Sequence, residues 1–162
     1  MDDAELAMIV DLERNDLSRV CRTGTVRATE IARLVSFPTV HHLVGRVEGL
    51  LREDVEIPAL LEATFPGGSI TGAPKLRARE ILARLEGCAR GWFTGSLLWL
   101  GDDGSLDSSI LIRSVVFAHG RLRLGAGCGI VADSDPEEEW LECLTKLRAP
   151  AEALGLAAEE TR

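Results

Sequence analysis

Apolar residues near the start of the chain recur at helical spacing. Within residues 4–20, Leu6, Ile9, Val10, Leu12 and Leu17 mark one face of a helix. The period then changes. GTVRATE and VHHLVGRVEG are rich in β-branched residues and predict strands. IPALLEATF predicts a short helix, and PGGSITGAP, with three glycines and two prolines, predicts a loop. LRAREILARLEG is amphipathic at helical spacing and closes at Gly87, as helices with a glycine terminus do.

The second half of the chain alternates hairpin and helix signals. WFTGSLLWL and SSILIRSVVFA predict strands joined across the turn GDDGS, and a His119-Gly120 turn leads into RLRLGAG. Ser134 or Asp135 can cap a last helix with Pro136 at its first position. Glu137 to Glu139 in its first turn favour the positive end of the helix dipole. That helix is expected to end near Arg148, before Pro150. Hairpins set between helices predict an α+β fold with one domain over residues 1–150 and an acidic tail over 151–162.

Composition narrows the function classes. At 162 residues the chain can bury a core, and 46% hydrophobic with 27% charged residues is ordinary for a globular protein. A formal charge of −8, from 18 basic and 26 acidic residues, argues against a nucleic-acid partner. An anionic substrate would then need a metal ion or a few local cations to offset the overall field. No apolar run is long enough to span a membrane, and MDDAEL lacks a secretory leader pattern, so a cytoplasmic location is expected. Cys21, Cys88, Cys128 and Cys143 form no CxxC pair and are read as reduced thiols.

Candidate chemistry lies at the two ends. Asp2 and Glu5 are three apart on the first helix, and Glu139 and Glu142 three apart on the last, with Lys146 one turn further. Each pair shares a helix face, and two such faces together would suit Mg2+, a hard cation that prefers oxygen ligands. The alternative is two solvated acidic faces. The run Gly125-Ala126-Gly127-Cys128-Gly129 can offer backbone N–H groups to an anion, or be a tight turn; it does not match GxGxxG. GGSITGAPK lacks the lysine and hydroxyl of a phosphate loop, which argues against nucleotide binding. Arg113, in ILIRSVV, is expected to pair with a carboxylate of substrate or protein. His41 and His42 should face opposite sides of a strand.

The blocks LAMIVDLERNDLSRV, FPTVHHLVGRVEG, FPGGSITGAPKLRAREIL, LDSSILIRS and GAGCGIVADSDPEEEWLECLTK, in this order, resemble the chorismate-binding enzymes. These are the anthranilate, aminodeoxychorismate, isochorismate and salicylate synthases. The resemblance covers about residues 2–150. FPGGSITGAPK and PTVHHLV look most like the aminodeoxychorismate-forming members. The resemblance implies the C-terminal part of a β-sandwich with flanking helices, acting on chorismate with Mg2+ and ammonia from a glutamine amidotransferase. It implies metal binding by Glu5, Glu139 and Glu142, with Asp2 where a second acid often sits. It implies substrate binding by Ser69, Phe93, Arg113, Gly127, Gly129 and Lys146, and places His42 beside the departing ring hydroxyl.

Some positions depart from the family pattern. Phe93 stands where many members have tyrosine, Leu6 replaces a histidine, and Cys128 interrupts the small residues of the glycine run. The resemblance also implies that a PIKGT or PIAGT motif, a general-base lysine and a general-acid glutamate belong upstream of Met1. Such acid–base groups contribute about 10²–10⁴-fold in rate, so a chain lacking them should bind but turn over poorly. The rival readings are therefore a non-catalytic remnant, or synthesis of anthranilate, isochorismate or salicylate. Strands left without partners would be open edges, favouring a homodimer.

Overall fold

Leu6 and Val10, four residues apart, fall on one face of the first helix, α1 (Asp3–Ser18), and both are buried. That face lies on an antiparallel ribbon of β1 (Arg27–Ser36) and β2 (His41–Glu48). A Cβ at Gly45 would sit 2.6 Å from Val10 Cγ2, so glycine is what lets α1 approach β2 so closely. Burying one such Leu or Val side chain is worth about 1.5–3 kcal/mol. The computed structural model describes residues 3–38 and 40–156, so Asp2 lies outside the described residues. Contacts divide the chain into two compact units, Met1–Gly87 and Cys88–Arg162.

Unit one continues with α2 (Ile57–Thr64), a 3-10 turn at Gly68–Ile70 and α3 (Lys75–Leu85). Its core gathers Val20, Cys21 and Ala63, with Leu17, Val26, Val55 and Leu60 packed against them. The strand β1 runs six residues beyond the GTVRATE segment. Register shifts between Ala28 and Glu30 and between Glu30 and Arg33, with Ala32 at φ 56°, interrupt the two-residue alternation that marks a strand in sequence.

Unit two holds β3 (Ser96–Leu100), β4 (Leu106–Ile110), β5 (Val115–Ala118), β6 (Arg121–Leu124) and α4 (Pro136–Ala153). The GDDGS turn closes the β3–β4 hairpin as expected. Asp103 Oδ1 accepts from Ser105 N at 2.9 Å and from Ser105 Oγ at 2.5 Å. His119 and Gly120, both at positive φ, turn β5 into β6. SSILIRSVVFA is not one strand. The chain leaves β3 after Ile110 and starts a new ribbon with β6 at Val115, and the turn between puts Arg113 at φ 52°.

The six described strands thus pair only as three two-stranded antiparallel ribbons, and the fold is α+β. Asp135 caps α4, accepting from the Glu137 and Glu138 amides, with Pro136 first in the helix. The helix does not stop before Pro150 but continues to Ala153. A proline so close to a helix end removes one ladder bond, while the Leu154 amide still closes the end on Ala151 O. No described helix is long and apolar enough to cross a membrane.

Candidate functional site

The best-connected polar cluster lies in unit two, where the glycine run meets α4. Phe93 packs beneath the run: a Cβ at Gly125 would fall 2.5 Å from Phe93 Cγ, so no side chain fits there. Lys146, one turn after Glu142 on α4, donates from Nζ to the Gly127 carbonyl at 3.0 Å. The same ammonium pairs with Glu142 Oε1 at 2.5 Å. The expected residues Phe93, Gly127, Glu142 and Lys146 are therefore joined, and Gly129 is half-buried in the same run.

Glu139 is tied to the glycine loop through Oε1. Ser134 Oγ donates to its Oε1 at 2.5 Å and accepts from the Val131 amide at 3.1 Å, tying the end of the glycine loop to α4. Its Oε2 is buried and has no hydrogen-bond partner. Hydrogen bonding from Cys128, then from Ser134, helped by the charge on Lys146, holds the Glu139 carboxyl below its usual range. An oxygen shielded from water without a well-formed hydrogen bond is open to a cation. A carboxylate oxygen is the donor type that a hard ion such as Mg2+ takes. Among the described residues no three His, Cys, Asp or Glu side chains gather closely enough to hold a metal ion.

The Cys128 thiol donates to the Glu139 carbonyl at 3.5 Å and lies 3.5 Å from Cys143 Sγ. Burial, followed by hydrogen bonding to Glu139 and Cys143, pushes the Cys128 thiol up to about 12. Arg113 is exposed in the break between β4 and β5, not on a strand as its apolar neighbours suggested.

The remaining expected residues belong to unit one. Glu5 is half-buried on α1, and Ser69 is exposed in the 3-10 turn. That turn is anchored by the Gly68 amide, which donates to Glu13 Oε1 at 3.0 Å. His41 and His42 are both exposed at the start of β2; His41 Nδ1 lies 2.9 Å from Ser36 Oγ, and the His42 ring stands edge-on to Phe37. A cavity of about 410 Å³ is bordered by Arg14 and Arg22, but these are paired with Asp11 and Glu53.

Sequence reasoning missed three contacts. Asp16, 2% exposed, pairs with Lys75 and so fixes the end of the glycine-rich loop to α1. Its signal was an acid spaced one turn from Leu12 and two from Ile9, on the apolar stripe, where an unpaired charge is not tolerated. Glu13 carried no such signal, and Ser134 was read only as a possible cap.

The sequence profile described as chorismate binding enzyme matches residues 2–152. The chain belongs to that family. A relative from Synechocystis sp., named anthranilate synthase component I-like protein, is 48% identical over 93% of this chain and 31% of its own length. Aminodeoxychorismate synthase component 1 of Bacillus subtilis is 43% identical over 98% of this chain and 34% of its own. Anthranilate synthase component I of Streptococcus pneumoniae superimposes with a TM-score of 0.84 at 36% identity, covering 91% of this chain and 34% of that one. The chain thus spans about a third of the length of the relatives it matches.

Proposed function

We propose that this chain is the metal- and carboxylate-binding part of a synthase that aminates chorismate to aminodeoxychorismate, with ammonia from a glutamine amidotransferase. The observation that carries the reading is Glu139, with one oxygen held by Ser134 and the other buried without a partner. Glu139 and Glu142, one turn apart on α4, would offer carboxylate oxygens to Mg2+. The ion, when bound, supplies positive charge for the ring carboxylate of chorismate.

The chain's own residues do the rest. Lys146, already on the Gly127 carbonyl, can turn its ammonium to a substrate carboxylate once Glu142 faces a cation instead. Arg113 and the Gly127 and Gly129 amides would bind the enolpyruvyl carboxylate. Phe93 offers an apolar wall without a hydroxyl. The contribution of these groups is positioning and fixed electrostatics.

Relatives named for two different products favour a second reading, anthranilate formation. Because the chain matches only a third of those relatives, binding without turnover is a third. Calorimetric titration with chorismate, with and without Mg2+, tests the binding claim. Metal-dependent binding is expected, weakened at least about tenfold in Glu139→Gln, the size of one lost charge-assisted contact. Equal affinity without Mg2+, or in the variant, would overturn it. Product analysis with ammonium then separates the two amination products from no turnover.

A further inference from the structure

All four cysteines are free thiols, but they are not alike. Cys21 is buried and Cys88 exposed, whereas Cys128 and Cys143 meet across the junction of the glycine run and α4, Sγ to Sγ 3.5 Å. The meeting follows from helix geometry. Glu139 and Cys143 are one turn apart on α4, and Cys128 is seated over that turn, bonded to the Glu139 carbonyl and facing Cys143. A disulfide needs about 2.05 Å between sulfurs, so these two close by about 1.5 Å, within reach of side-chain rotation.

We propose that Cys128 and Cys143 are an oxidative-modification site, joined by a peroxide as a reversible disulfide that clamps the glycine run to α4. With hydrogen peroxide, the Cys143 sulfur attacks as its thiolate, the O–O bond breaks, and a Cys143 sulfenic acid and one water form. The second sulfur then attacks the first, the S–O bond breaks, and a second water leaves. Two thiols and one peroxide give one disulfide and two waters. The clamp removes the thiol proton given to the Glu139 carbonyl and fixes the loop that carries Gly127. It requires nothing of the chorismate reading.

Cleavage after Arg123 and Lys146 releases residues 124–146, which contain both cysteines in one peptide. After peroxide treatment of the folded chain and alkylation, that peptide is expected to be unalkylated and lighter by two hydrogens. A thiol reductant should restore two alkylation sites. The crosslink should form at least about tenfold faster in the folded chain than in urea, because the fold holds the sulfurs together. Equal rates in urea would overturn the proposal. So would a peptide that remains doubly alkylated while Cys88 is consumed. Cys143→Ser should leave Cys128 alkylated, and the comparison in urea stands even where that variant folds poorly.

Discussion

Unit one and unit two differ in where their apolar side chains go. The buried hydrophobic residues described, Leu6, Val10, Val20, Cys21 and Ala63, all lie in unit one. Among the described residues of unit two there is none, and there Leu97 is 65% exposed, Trp99 63% and Phe117 72%. Consecutive apolar residues such as Leu97 to Leu100 are the pattern of a strand covered on both faces, yet β3 sits in a ribbon of two strands. A lone hairpin is marginal in water. The polar cluster is distributed the other way. Glu139, Ser134, Lys146 and Gly127 are connected through a loop and the helix that follows it. Site geometry in unit two comes from short-range hydrogen bonds, not from a core.

The largest effect that would test this contrast is in the buried ion pair of unit one. Asp16→Ala leaves the half-buried Lys75 ammonium without its partner, and is expected to cost up to about 3–5 kcal/mol. The measurement is the urea midpoint followed by far-ultraviolet circular dichroism, with hydrogen exchange of the α1 amides to locate the loss. A cost below about 1 kcal/mol, the range of exposed pairs, would mean that α1 is not held as a core element.

A pair of leucines gives the next contrast. Leu6→Ala, 5% exposed in the wild type, should cost about 2–4 kcal/mol, because a cavity remains beside Val10 and β2. Leu97→Ala, on the open face of β3, should change the same midpoint by no more than about 0.5 kcal/mol. Comparable losses from the two would show that β3 is covered in solution, and the contrast between the units would fall.

How much of this was legible depended on how local the cause was. The cap at Asp135 and Pro136, the GDDGS hairpin and the glycine end of α3 are each set by a few adjacent residues, and all formed as the sequence suggests. The break at Arg113 was not legible. Its neighbours Ile112 and Val115 favour strand, and what turns the backbone is the choice of a new partner, β6, well along the chain. The far end of β1 was hidden by its bulges. In the site, spacing alone placed Glu142 and Lys146 one turn apart on one helix. The Lys146 contact to Gly127 and the meeting of Cys128 with Cys143 depend on how the loop folds back, which spacing does not encode.

The smallest expected effect tests the claim that unit two is ordered by short-range bonds. The side-chain bond from Ser105, then the bond from its amide, hold the Asp103 carboxyl below its ordinary value of 3.8. With the folded pKa depressed, this contribution is fully present above the unfolded value and is lost as pH falls through the lower folded one. Ser105→Ala removes the larger cause but leaves the amide, so the Asp103 titration, followed by carboxyl-carbon NMR, should move up only part of the way. The β3–β4 turn should then loosen at a slightly higher pH. An unmoved titration would mean that the turn does not hold its local bonds in solution, and that unit two's order has to be sought in whatever covers β3.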